Sequence, residues 1–403
     1  MALYCKVGEV TQVLAGDVFV ELCFEPKALF VWTTEGDGGY DVSFTRISLG
    51  WCSSTTDQRS RTLVANSPTS VFGGGAFSGN LASGMGGSCT LLSFDADGFT
   101  LDFDNDNSHI YYMALGGDDL EVATGTFHID DGDTSDVVVT SAGFTPDLIL
   151  FNHAWVQASH GFGMATASDQ CACFHLQTFG GIGASAFKGQ TFSDIDVVNT
   201  FNPTFGNPTV ASAEYRCQLA SMDANGFTLT VPIANGGTLY DLDCDWIALK
   251  SPSTDFAVGY DSQKTSTGTQ ATTGVGFQPG AGVFAGSLET AAYGQTGYDP
   301  SGGPISISVG FSDSDGNSSV YEESAGTLGN YQASRGEAGL VRSSSNSDGS
   351  TFAEAALSSF DSDGFTLDWL VADSDARKFM YALFETETGP LCPDFIPQIY
   401  RRL

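Results

Sequence analysis

Cys171, Cys173 and His175 alternate along Cys171-Ala172-Cys173-Phe174-His175, so an extended strand puts three metal-ligating side chains on one side. Zinc needs a fourth ligand, usually at wider paired spacing, and the corresponding stretches near the start and end of the chain have no counterpart of this run. Thiols buried on a core face are the better reading. Asp95-Ala96-Asp97-Gly98, Asp313-Ser314-Asp315-Gly316-Asn317 and Asp361-Ser362-Asp363-Gly364 look like fragments of calcium loops. A true loop needs more oxygen ligands and a closing carboxylate. His153 and His160 flank a segment containing Trp155, with no nucleophile and oriented base beside them. No Gly-x-Ser-x-Gly elbow, phosphate loop or His-Glu-x-x-His is present. Two glycosidase carboxylates need no local motif, so that chemistry stays open, although scattered Asp on outer strand faces reads as solvation. No catalytic residue, metal ligand or cofactor is assigned.

The elements around these residues are written three times. Leu92 to Phe103, Ala220 to Val231 and Leu357 to Trp369 each read as strand, tight turn, strand. In the last, Phe365, Leu367 and Trp369 alternate with Thr366 and Asp368, giving one apolar and one polar face. The turns carry Asp97-Gly98, Asn225-Gly226 and Asp363-Gly364, whose glycines are expected to supply positive φ. Because Asn225 replaces an acid, a hairpin explains all three copies and calcium does not. A second marker is an aromatic and a proline leading into an apolar run, at Pro26, Pro146 and Pro279. Each run, such as Leu148 to Phe151, is apolar at successive positions and predicts a strand buried on both faces. A third marker, Met113-Ala114-Leu115, Ile247-Ala248-Leu249 and Tyr381-Ala382-Leu383, closes each copy. The spacing suits a small β domain, not a solenoid repeat.

The chain of 403 residues is therefore expected to be all-β: three tandem antiparallel β-sandwiches, jelly-roll-like, over 1–120, 121–252 and 253–388. An apolar share of 41% suffices for three separate cores. The regions rich in Gly, Ser and Asn, Ser67 to Gly87, Gly180 to Thr209 and Gly326 to Gly349, read as long variable loops, suited to recognition or to filling gaps between subunits. Residues 389–403 form a short extended tail. Its apolar Leu391, Phe395, Ile396, Ile399, Tyr400 and Leu403, with Arg401 and Arg402, suit docking on a neighbouring subunit.

The formal charge of −33 comes from only 15 Lys plus Arg against 48 Asp plus Glu. Such a field disfavours nucleic-acid partners and anionic membranes. Met1 to Lys6 has no apolar leader core, so synthesis and folding in a cytoplasm are expected. Nine cysteines whose positions do not recur between copies predict free, mostly buried thiols.

Gly143-Phe144-Thr145-Pro146-Asp147-Leu148 together with Asp361-Ser362-Asp363-Gly364-Phe365-Thr366-Leu367-Asp368-Trp369 resembles repeats in structural proteins of tailed bacteriophages and phage-like elements. The resemblance spans about residues 4–385. The first copy departs from it by lacking a glycine before Phe24, and the third by having Gly280 where Asp147 stands. It implies a non-enzymatic exterior virion protein, a head decoration, spike or tail-fibre subunit. Its expected partners are copies of itself and other virion proteins. An adhesin module binding host-surface glycans is the alternative, and a β-sandwich glycan hydrolase the third reading.

Overall fold

The computed structural model describes residues 3–12, 15–34, 44–66, 70–71, 75–78, 80–84, 87–104, 108–153, 159–180, 186–204, 207–235, 241–290, 293–297, 305–315, 318–325, 331–336, 339–344 and 351–387. Every regular element among them is a β-strand, and every pairing is antiparallel. The strands form six sheets, an inner and an outer sheet in each of three units.

The strand order repeats. In the first unit Tyr4–Gln12, Ser108–Gly116, Pro26–Thr34, Phe44–Ser54 and Asp57–Asn66 are successive neighbours. In the second the same places are taken by Glu121–Ile129, Leu242–Lys250, Leu148–His153, Ser159–Ala167 and Gln170–Gly180. In the third they are taken by Phe256–Ser262, Lys378–Phe384, Ala281–Ser287, Ile305–Asp313 and Ser318–Ala325. Each outer sheet has four strands built around a hairpin: Gly87–Asp95 with Gly98–Phe103, Asn207–Asp223 with Gly226–Asn235, and Thr351–Asp361 with Gly364–Val371.

The expectation of three separate cores needs correction. Each sandwich has its own core, but a fourth cluster joins all three inner sheets. The strand Leu148–His153 shows why. Ile149 and Phe151 point into the second sandwich, and Leu148 and Leu150 point into the shared core. Leu29 and Val31 against Ala28, Phe30 and Trp32 do the same in the first unit. In the third, Phe284 faces its own sandwich while Ala281, Val283 and Ala285 face the shared core. A strand apolar on both faces must be covered on both. Here the second cover is the neighbouring unit, and the rings of Phe30 and Phe311 meet across one such seam at 6.3 Å.

The boundary between second and third units is also crossed. Tyr293–Gly297 pairs with Ala186–Ser193 and extends the second unit's inner sheet. The chain's described end returns to its beginning, where the Glu387 amide donates to the Leu3 carbonyl at 3.1 Å. Beside it the Val7 amide donates to buried Asp313, and Lys6 pairs with Asp315 at 2.7 Å.

The three regions expected to be long loops contain short strands, among them Gly75–Ser78, Val198–Thr204 and Val341–Ser344. Gly, Ser and Asn lower strand propensity without forbidding pairing, and a neighbouring edge supplies the hydrogen bonds.

Candidate functional site

The repeated turn is a hydrogen-bonded lock. Asp223 accepts from Ser221 Oγ at 2.8 Å and Thr228 Oγ1 at 2.6 Å. Asp95 and Asp361 are held in the same way, by Ser93 with Thr100 and by Ser359 with Thr366. The Thr228 and Ser221 hydroxyls lower the Asp223 pKa, and Thr366 and Ser359 lower that of Asp361. These carboxylates are thus occupied by the turn itself. The second acid holds the neighbouring loop, since both Asp363 oxygens accept backbone amides, from Gly274 and Gly276.

The glycine of each turn has the expected positive φ in two of the three copies and makes a close backbone approach in all three. The two loop residues are Ala96-Asp97, Ala224-Asn225 and Ser362-Asp363, and the glycine is the first paired residue of the next strand. Gly226 and Gly364 have φ of 159° and 143°, whereas Gly98 is not among the positive-φ glycines. All three share a close approach. A Cβ would lie 2.0 Å from the carbonyl oxygen of Val20, Val139 or Thr272. That oxygen is backbone and cannot move aside cheaply. Pro26, Pro146 and Pro279 are all buried at the entry to the double-faced strands.

Before each proline sits a backbone position with left-handed φ. It is Gly143 (79°) in the second unit, Gly276 (94°) in the third, and Cys23 (66°) in the first. The missing glycine noted in the sequence is thus a cysteine forced into a glycine's conformation. Cys23 is also disulfide-bonded, which corrects the expectation of free thiols throughout. Cys5, Cys52, Cys89, Cys171, Cys173, Cys217 and Cys244 are free. Burial pushes the Cys171 thiol up to about 12 and Cys173 well above its usual value. Both thiols are buried, and Cys171 packs in the core of the second sandwich.

His175, the third side chain on that face of the strand, meets a partner the spacing did not suggest. His153, Gly161 and His175 lie side by side on three adjacent strands. Gly161 leaves a gap, since a Cβ there would sit 2.0 Å from His153 Nε2. The two imidazoles close over it, with His153 Nε2 3.3 Å from His175 Nδ1 and the rings parallel within 5°. Both are buried, and burial, His175, His160 and Arg61 in that order push the His153 pKa well below 6.5. The Asn199 backbone hydrogen bond opposes them.

The opposite face of the same sheet meets the first unit. His160 Nε2 hydrogen-bonds Asn152 Oδ1 at 2.9 Å, and Asn152 Nδ2 donates to the Leu49 carbonyl at 3.0 Å. Arg61 Nε donates to Asp245 at 2.6 Å, with side-chain exposures of only 3% and 6%. Thr126 donates to the other Asp245 oxygen and accepts from Arg59, both at 2.7 Å. Sequence reasoning singled out His153 and His160 but missed Arg61 and Asp245, which lie in separate repeats.

At the end of the second sandwich, exposed His128 lies between carboxylates. Nδ1 is 2.7 Å from Asp243, and Nε2 is 3.2 Å from Asp130 and 3.7 Å from Asp241. The Asp243 hydrogen bond is the main cause of its raised pKa. The His128–Asp130–Asp241 ligand atoms lie within 4.8 Å of one another, so this is where a divalent cation has donors to hand. The raised pKa favours the imidazolium, which serves the same carboxylates without a metal. The expected docking residues Leu391, Phe395, Ile396, Ile399, Tyr400, Arg401, Arg402 and Leu403 lie outside the described residues.

No protein-family model and no curated protein matches the sequence. Among solved structures, a mutant of Rh. blastica porin aligns at 10% identity over 82% of this chain and 98% of that one, with a TM-score of 0.11. A score that low carries no argument about fold or function. Among the described residues, no helix is long and apolar enough to cross a membrane.

Proposed function

We propose that the chain is a non-enzymatic structural component on the exterior of a virion, of a tailed bacteriophage or a phage-like element. The observation that carries this reading is the shared core. Three sandwiches of one topology converge on a single apolar cluster and are tied by strand exchange, buried ions and backbone hydrogen bonds. Such a body resists bending between units, as an assembly component must. The charge of −33 suits a face turned away from packaged nucleic acid. A disulfide-bonded Cys23 suits a surface that meets an oxidising medium after leaving the cell. Copies of the chain and other virion proteins are the partners in this reading, and the particle is its location.

Immunogold electron microscopy of purified particles is the test. Label on the particle exterior is the expected result. Label confined to the soluble fraction of infected cells would overturn it. Specific signal on a glycan array without particle label would replace it by the adhesin reading.

A further inference from the structure

Cys23 is disulfide-bonded, and the count of cysteines leaves one partner for it within the chain. The sequence has nine cysteines. Cys5, Cys52, Cys89, Cys171, Cys173, Cys217 and Cys244 are free. What remains is Cys392, five residues beyond Glu387, the last described residue.

The described end of the chain already points there. The Glu387 amide donates to the Leu3 carbonyl, and Leu3 precedes Tyr4. The Tyr4 ring lies 5.8 Å from the ring of Phe24, the residue after Cys23. Tyr4 and Pro26 flank Gly116 from the two adjacent strands, which puts them roughly 10 Å apart. Five extended residues reach about 17 Å, enough to bring Cys392 from the Leu3 side to the turn at Cys23. The turn is a firm attachment point, because the Leu22 and Cys23 amides both donate to the Asp97 carbonyl, at 2.6 and 3.0 Å. Glycine would relieve the left-handed φ at position 23, as Gly143 and Gly276 do in the sister units, but only cysteine can carry a cross-link.

A link at this place has a mechanical consequence. The first and second units are joined by the chain itself, from Ser108–Gly116 into Glu121–Ile129. So are the second and third, from Leu242–Lys250 into Phe256–Ser262. The seam between third and first units is held by side-chain and backbone contacts: Val7 with Asp313, Lys6 with Asp315, Phe30 with Phe311, and Glu387 with Leu3. We propose that the segment after Glu387 docks on the entry turn of its own first unit and is fastened there by a Cys23–Cys392 disulfide, which closes the three units into a covalent ring. Its first contact is then within the chain and not on a neighbouring subunit. The oxidant is a small-molecule disulfide such as oxidised glutathione. Cys23 and Cys392 form the S–S bond, and the oxidant leaves as two thiols that carry off the two protons and two electrons.

The test is peptide mapping of the full chain treated with oxidised glutathione. The protein is unfolded in N-ethylmaleimide, digested without reductant and read by mass spectrometry. One linked pair is expected, joining the peptides of Cys23 and Cys392 and lost on reduction, with the alkyl group on the other seven cysteines. An alkylated Cys392, or Cys23 found alkylated, bound to glutathione or linked to any other cysteine, overturns the proposal. A dimer on a non-reducing gel, linked through either residue, puts the bond between two copies and also overturns it. In Cys392→Ser, Cys23 should become fully alkylated; a protein linkage that persists at Cys23 would count against the assignment.

Discussion

The first and second units share one topology and differ at the left-handed position before the proline and across three central strands. At the left-handed position before the proline, the second unit has Gly143 and the first has Cys23, strained and disulfide-bonded. Across three central strands the second unit has His153, Gly161 and His175, and the first has Thr33, Ser48 and Thr62. The hairpin lock, by contrast, is the same in both. Asp95 and Asp223 each bind a Ser and a Thr hydroxyl, and Gly98 and Gly226 each admit a neighbouring carbonyl. Where a Cβ would meet a neighbouring backbone carbonyl, at Gly98, Gly226 and Gly364, all three units keep glycine. Where side chains meet side chains, across the three central strands, the units have taken on separate chemistry.

The largest effect is expected at the seam between these two units. Arg61→Ala leaves Asp245 buried without its cation and should cost about 3–5 kcal/mol in urea unfolding. A loss below about 1 kcal/mol would mean that the units are held by the shared apolar core alone. Next is the position that separates them most sharply. Cys23→Gly removes the disulfide, worth about 2–5 kcal/mol, and relieves about 1–2 kcal/mol of left-handed strain. The variant should therefore be less stable than the oxidised parent and more stable than the reduced parent. Melts with and without reductant check both signs, and equal stability under reductant would remove the strain argument.

Gly226→Val probes what the units share. Its Cβ meets the Val139 carbonyl, and overpacking against backbone should cost about 1–3 kcal/mol, read as a lower melting temperature. Gly98→Val should cost a similar amount, because close approach and not positive φ is the common cause. A tolerated Gly98→Val would sever that equivalence. The smallest effect is expected at His128, which is half exposed. His128→Ala should cost about 0.5 kcal/mol or less. A raised folded-state pKa gives a contribution complete below about pH 6.5 and lost as pH rises through the folded value. Stability of parent and variant measured across that range should converge on the alkaline side.

The sequence by itself determined the class, the threefold repeat and the hairpins. Those depend on period-two alternation, turn residues and recurrence, which are local. It also marked Leu148 to Phe151 and its counterparts as buried on both faces. Only the tertiary structure decided what covers the second face, because apolar residues specify burial without naming a partner. The same limit applies to Arg61 and Asp245, which no spacing rule joins, and to Tyr293–Gly297, which pairs outside its own unit. Cys171-Ala172-Cys173-Phe174-His175 shows the division within five residues. Alternation put the three side chains on one face of a strand. The gap at Gly161 and the reach of His153 across it then gave His175 a role separate from the thiols beside it. That contact depends on strand register across the sheet, a long-range property that the order of residues along a single strand does not contain.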